Sequence, residues 1–135
     1  MIAKNIQIEN EKEKNSSANR NQAILKTLTY IRKDWDLSYE QMAEFVHIPG
    51  STLQRWATND DADISNKKNE LELLTHFIAI HKSLSQMFSS KNNLKKWLDT
   101  KHPQLHNAPS DTIKSSIEGL IMVRRYLDFQ RGRGA

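Results

Sequence analysis

The sequence predicts an all-α protein, and three observations lead to this prediction. Among 135 residues there are only four Gly and three Pro, so the residues that interrupt helices and shape β-turns are scarce. Apolar residues recur at helical spacing in several segments. The hydrophobic content of 37% is enough for a compact core, arranged as one domain or as two small helical lobes.

The first 35 residues divide into a polar arm and a helix. Residues 1–20 mix polar and charged side chains without an apolar period, which predicts a disordered N-terminal arm. Residues 21–35 predict an amphipathic helix that packs across the segment after it. The apolar face of this helix consists of Ile24, Leu25, Leu28, Ile31 and Trp35.

Residues 37–56 predict two short helices joined by a tight turn. Ser38 is a good N-cap, and Gln41 stands three residues later, as in a capping box. His47-Ile48-Pro49-Gly50 then interrupts the helix, because Pro lacks the amide hydrogen and Gly accepts unusual backbone angles.

The second of these helices carries polar side chains suited to a DNA major groove. We expect Ser51 or Thr52 to cap it, Leu53 and Trp56 to point inward, and the remaining polar residues to face outward. A short second helix with exposed Gln and Arg has the layout that reads base edges. The candidate DNA-binding residues are Ser51, Thr52, Gln54 and Arg55. The alternative is a helical packing corner without DNA.

The next two segments predict a loop and a long helix. Residues 57–69 have no apolar period and contain three Asp, which indicates an acidic linker; the Gly and terminal Glu of an EF-hand are missing. Residues 70–89 predict the strongest helix, with one apolar stripe through Leu73, Phe77, Ile80, Leu84 and Met87. This helix is either a central core helix or one that also contacts a partner chain.

Residues 91–135 predict three short helical segments and a flexible cationic tail. Leu94, Trp97 and Leu98 face inward in the first, and Pro109 opens the second. In the last, residues 120–129, Arg124 and Arg125 are expected to face outward. The inward residues of this last helix are Leu120, Val123, Tyr126 and Leu127.

Charge is unevenly distributed along the chain. The net charge is +4, which permits an anionic partner. Residues 1–72 hold 10 Lys and Arg against 12 Asp and Glu, whereas residues 73–135 hold 10 against 4. The segment with the candidate DNA-binding helix is therefore the acidic one, and binding to DNA would need dimerisation or basic residues from the C-terminal half.

The sequence carries no recognisable catalytic or cofactor motif. There is no Cys, no Gly-rich phosphate loop and no nucleophile-elbow pattern, so we expect neither an enzyme nor a bound cofactor or metal. His102 and His106 are four residues apart, but Pro103 lies between them and no third ligand is evident. Without a secretory signal or an apolar run approaching ~20 residues, the chain is expected to be cytoplasmic and not membrane-bound.

The order of features in the second half resembles a known family. An apolar helix ends in Phe88, a short helix ends in Trp97-Leu98, a turn His102-Pro103-Gln104-Leu105 follows, Pro109 opens a helical turn, and Glu118-Gly119, Val123 and Leu127 mark the last helix. This pattern resembles the C-terminal toxin-binding domain of Xre/MbcA/ParS-type antitoxins, in which Asn is usual where His102 stands. Residues 37–56 resemble the Xre-type, phage-repressor-like helix-turn-helix, in which Gly is usual where His47 stands.

The resemblance implies a partner, a mechanism and a set of residues. Such antitoxins pair with a RES-domain toxin, which consumes NAD, and their C-terminal helix and tail enter the toxin's cleft. The N-terminal lobe mediates assembly as a homodimer or a higher hetero-oligomer with the toxin and, in many members, binds operator DNA and represses its own operon. The residues implied at the toxin interface are Arg124, Arg125, Tyr126, Asp128, Phe129, Arg131, Gly132 and Arg133.

Two functions therefore remain open at the level of sequence. One is an antitoxin with an arm at residues 1–20, a helix-turn-helix lobe at 21–68, and a central helix with toxin-binding domain at 69–135. The other is a stand-alone helix-turn-helix transcription regulator whose C-terminal half only dimerises.

Overall fold

Helices account for most of the chain. The computed structural model describes residues 2–59 and 62–132, and this part of the chain forms seven helices and no strand. The helices are α1 (Ile2–Asp34), α2 (Tyr39–Val46), α3 (Gly50–Thr58), α4 (Lys68–Met87), α5 (Lys91–Asp99), α6 (Pro109–Ser115) and α7 (Ile117–Gln130). The prediction of an all-α protein is confirmed.

The first helix is longer than predicted. It begins at Ile2, so residues 2–20, for which the sequence predicts a disordered arm, continue the same helix. No Gly or Pro precedes Pro49, and Glu, Lys and Ala in this stretch are good helix formers, so nothing in the sequence interrupts the helix. Its C-terminal half packs on the core as predicted, with Leu25, Leu28, Ile31 and Trp35 buried.

Helices α2 and α3 form a corner against α1 and α4. The predicted capping box is present: the Ser38 hydroxyl accepts from the Gln41 amide at 3.0 Å, and the Gln41 side chain accepts from the Ser38 amide at 2.8 Å. Helix α3 begins at Gly50, and Pro49 is its N-cap without a side-chain hydrogen bond. The prediction that Ser51 or Thr52 caps α3 is therefore wrong, because the fixed φ of Pro49 already directs the chain into the helix.

One hydrophobic core joins the two halves of the chain. The rings of Trp35, Phe45 and Phe77, from α1, α2 and α4, lie 5.3–5.8 Å apart between centroids. Buried residues of α5, α6 and α7 belong to the same cluster. Helix α4 lies at its centre, with Leu74, Phe77, Ile80 and Leu84 fully buried, whereas Met87, which the sequence assigns to the same apolar stripe, is exposed because the helix ends there.

The described part of the segment between α3 and α4 is anchored by Ile64. Ile64 is fully buried, although the surrounding sequence has no apolar period. The Asp63 carboxylate accepts hydrogen bonds from the amide and the hydroxyl of Ser65 at 3.0 and 2.6 Å, and these bonds lower the pKa of Asp63. Asp60 and Asp61, the other two members of the predicted acidic linker, lie outside the described residues.

Candidate functional site

The last helix, α7, is held very close to α6. Ser116 is its N-cap, and the Ser116 hydroxyl accepts from the Gly119 amide at 2.9 Å. A Cβ atom at Gly119 would lie 1.9 Å from the carbonyl oxygen of Thr112 in α6. Only glycine fits at this position without moving the backbone of one of the two helices.

Helices α4 and α7 run parallel to each other. Arg124 Nη1 lies 2.9 Å from His76 Nδ1, and Arg131 Nη1 donates to the Ser83 hydroxyl at 3.1 Å. Both pairs are separated by 48 residues, so a step toward the C-terminus of α7 corresponds to an equal step toward the C-terminus of α4. The two guanidinium groups therefore fasten the C-terminal half of α7 along α4.

Arg124 has a second partner on its own helix. Its Nε donates to Asp128 Oδ2 at 3.1 Å, and both side chains are about one-third exposed. The expectation that Arg124 faces outward is therefore only partly met, because its guanidinium group is shared between His76 and Asp128. Burial, and then the positive charge of Arg124, hold the pKa of His76 below its usual value of 6.5.

Tyr126 is packed against the turn between α5 and α6. Its hydroxyl lies 3.0 Å from His102 Nε2, and the two rings meet edge to face at 5.1 Å. The backbone amide of His102 donates to the Asn107 carbonyl at 3.2 Å, which closes the turn. Burial raises the pKa of Tyr126. Tyr126, for which the sequence predicts an inward position, is half-buried and connects α7 to the turn.

The outer face of α7 carries apolar side chains in solvent. Phe129 is 66% exposed and Met122 is 47% exposed, and the exposed Arg125 stands between them. These three residues follow the i, i+3, i+7 spacing of one helix face, and we call Met122, Arg125 and Phe129 the outer stripe. The family resemblance implies Arg125 and Phe129 at the interface but not Met122. Met122 could have been recognised as an apolar residue that does not belong to the inward face of Leu120, Val123 and Leu127.

The end of α7 is closed by a glycine in the left-handed region. Gly132 has φ +78°, and its amide donates to the Phe129 carbonyl at 3.0 Å. The Arg131 amide donates to the Leu127 carbonyl at the same distance. Of the residues implied at a toxin interface, seven lie on α7 or its closing turn, and Arg133 lies outside the described residues.

The corner between α2 and α3 contains an unusual histidine. His47 has φ +61° and follows the last residue of α2, the position at which glycine is usual in the motif it resembles. Its ring Nε2 donates to the Ile113 carbonyl of α6 at 2.7 Å. This hydrogen bond holds the side chain of His47 in place and connects the corner to α6.

The four candidate DNA-binding residues lie together on α3. Ser51, Gln54 and Arg55 are exposed, and Thr52 is half-buried. Leu53 and Trp56 are buried beneath them, as predicted. An open groove of about 320 Å³ beside α3 is lined by Thr52 and Arg55, together with Lys67 from the start of α4. The groove is therefore lined by two cations, Arg55 and Lys67, and Lys67 was not among the candidate residues.

Two other features, a metal site and a membrane span, can be assessed in the part of the chain that the structure describes. Within residues 2–59 and 62–132, no three His, Cys, Asp or Glu side chains gather as a set of metal ligands. None of the described helices combines the length and the apolar composition required to cross a membrane.

The C-terminal segment is similar to a known protein family. Residues 83–133 match the model of the antitoxin Xre/MbcA/ParS C-terminal toxin-binding domain. The match begins near the end of α4 and includes α5, α6 and α7. No curated protein matches the chain. The family match supports an antitoxin of the Xre/MbcA/ParS type, and a toxin as its partner in general.

Proposed function

We propose that this chain neutralises a RES-domain toxin by covering the toxin's active-site cleft with α7 and the tail after it. One observation carries the proposal: the segment that matches a toxin-binding domain ends in a helix with an exposed apolar and cationic stripe. In this role the chain is a cytoplasmic binding protein and not an enzyme.

The outer stripe has the composition of a protein-binding hot spot. Aromatic and Arg side chains dominate the energetics of protein interfaces, with apolar residues around them. Phe129 offers a large ring that is not used by the core, and Arg125 offers a cation for a toxin carboxylate. The inner contacts of α7 hold these side chains on a rigid surface, which lowers the entropy lost on binding.

Internal contacts distinguish two groups among the candidate toxin-binding residues. Arg124 and Asp128 are already paired with each other, Arg131 donates to Ser83, and Tyr126 lies against His102. A side chain that is held by an internal partner has fewer donors, acceptors and rotamers left for contact with a toxin. We therefore assign the main contact with the toxin to the outer stripe, and assign the support of α7 to these four residues.

The corner of α2 and α3 is proposed to bind operator DNA and repress the operon of the pair. The exposed Gln54 and Arg55 on α3 favour this role, and Lys67 adds a cation for a phosphate. Because residues 1–72 are acidic overall, we expect repression to require a homodimer or a larger complex with the toxin. The exposed Gln54 and Arg55 also support the second candidate, a stand-alone transcription regulator without a toxin.

Co-purification with neighbouring gene products tests the first candidate. The full chain, tagged at its N-terminus, is co-expressed with the genes that flank its own. We expect a RES-domain protein to co-purify in stoichiometric amount. We also expect that cells producing this protein alone stop growing, and that co-expression of the present chain restores their growth. If the chain purified as a homo-oligomer without any product of the flanking genes, the antitoxin proposal would be overturned and the transcription regulator favoured.

A pair of exposed aromatic residues supplies a matched test of the interface. Phe129→Ala should weaken toxin binding by about 2 kcal/mol, or roughly 30-fold. Tyr30→Ala is the control, because Tyr30 is 61% exposed but lies outside the matched segment. Equal affinities of the two variants in a calorimetric titration would exclude the outer stripe as the toxin-binding surface.

A further inference from the structure

His76 stands behind the proposed toxin-binding face, and its contacts fix its tautomer. Its side chain is 15% exposed. Nδ1 lies 2.9 Å from Arg124 Nη1, and a guanidinium N–H can only donate, so Nδ1 must carry a lone pair. The ring hydrogen is then on Nε2, which lies 3.7 Å from Glu72 Oε1. That distance is beyond hydrogen-bond range, and Nε2 is buried without a partner.

A chain of contacts leads from His76 to the outer stripe. Arg124 receives its position from His76 on one side and from Asp128 on the other, at 2.9 and 3.1 Å. Arg125 directly follows Arg124, and Phe129 directly follows Asp128. The buried Val123 and Leu127 pack α7 into the core, and the Arg124–His76 and Arg131–Ser83 contacts add two polar links to α4, one on each side of Phe129 along the chain.

We infer that His76 is a positioning residue, which holds the C-terminal half of α7 against α4 only while its imidazole is neutral. This inference rests on the proposed function only in assigning the outer stripe to the toxin. When Nδ1 takes a proton, it becomes a donor and faces a donor at 2.9 Å, and the imidazolium and the guanidinium repel each other. Arg124 must then leave His76, and α7 loses this polar contact with α4.

The charged groups around His76 act in both directions. Burial makes the largest contribution and lowers the pKa of His76. Arg124 and Arg125 on α7 also lower this pKa, whereas Glu72 on α4 raises it, and the resulting pKa lies below the usual value of 6.5. The charged groups that shift the pKa of His76 thus come from α7, which lies against it, and from its own helix α4. The imidazole is therefore mostly neutral at pH 7, and its protonation requires a pH lower than that of an ordinary histidine.

Amide hydrogen exchange of the full chain tests the inference without any partner. Protection factors for the amides of residues 124–131 are measured from pH 7.5 to pH 5.0 in the wild type, His76→Asn and His106→Asn. Asn at 76 keeps an acceptor near the position of Nδ1 but has no proton to gain. His106 is exposed with φ +65°, a conformation that Asn tolerates, so His106→Asn is the matched control.

We expect the protection of α7 in the wild type and in His106→Asn to fall by about tenfold or more over this pH range, as for the loss of a hydrogen bond to a charged group. His76→Asn should stay protected throughout, and His76→Lys, a permanent cation, should be poorly protected at every pH. Unchanged protection in the wild type, or an equal fall in His76→Asn, would overturn the inference. Because no toxin is present, this result is independent of the co-purification experiment.

Discussion

Replacing Gly119 by Ala tests the close approach of α6 and α7. The added Cβ would lie 1.9 Å from the Thr112 carbonyl oxygen and 3.0 Å from the Thr112 carbonyl carbon. Cβ atoms essentially never come closer than 3.0 Å to another heavy atom, so α6 and α7 must separate by about 1.1 Å. The chain has little freedom to do this, because Ser116 alone connects the two helices and the fully buried Ile113 holds α6 in the core.

Two opposing effects set the expected loss of stability. Alanine is favoured over glycine in a helix by about 1 kcal/mol. Overpacking that moves the backbone costs about 3 kcal/mol. We therefore expect Gly119→Ala to lower the free energy of unfolding by about 2 kcal/mol, which for a chain of this length lowers the melting temperature by about 8 °C. Helix propensity alone predicts a change of the opposite sign.

Urea denaturation followed by circular dichroism at 222 nm measures this difference. Gly132→Ala serves as the control, since a Cβ at Gly132 meets open space and suffers only the strain of φ +78°, about 1 kcal/mol. Gly119→Ala should therefore be the less stable of the two variants. If it were as stable as the wild type, the close contact of α6 and α7 would be refuted.

Three further predictions concern the core, the corner and the response to acid. Trp56→Ala should destabilise the chain by about 3–5 kcal/mol as a core deletion, measured by urea denaturation; a loss below about 1 kcal/mol would contradict its burial. Arg55→Ala should weaken operator binding by about 1–3 kcal/mol in a gel-shift titration at low salt, whereas Lys82→Ala on α4 should not; equal effects would remove Arg55 from the interface. Because the pKa of His76 is lowered in the folded state, the unfolded chain binds the additional proton, and stability should fall as pH drops below about 6.5. His76→Asn should reduce this dependence, and an unchanged urea midpoint between pH 7.5 and 5.0 in the wild type would contradict it.

Helical periodicity predicted most of the core correctly. Leu28, Ile31, Phe77, Leu94 and Val123 are buried where the 3.6-residue repeat places them. The N-terminal end of α2 was equally predictable, since a capping box depends only on side chains three residues apart. Features with a local cause were therefore accessible from the sequence.

The wrong or missing details have causes that lie elsewhere in the chain. The helical repeat places Arg124 on the outward face of α7. Its contact with His76 could not be predicted, because His76 is 48 residues away in the chain. Ile64 is buried without any local apolar period, because tertiary packing alone covers it. The resemblance included Gly119, but only the position of Thr112 explains why a glycine is needed there.

The shared core has a practical consequence for finding the binding partners of this chain. Because Trp35, Phe45 and Phe77 join helices from both halves, we expect a single cooperative melting transition. A molecule that binds only the folded state raises the temperature of that transition, whether it binds near the N-terminus or near the C-terminus. At 100 times its Kd it adds about 2.7 kcal/mol, or about 10 °C for a chain of this size. One thermal-shift screen can therefore survey toxins and DNA duplexes side by side.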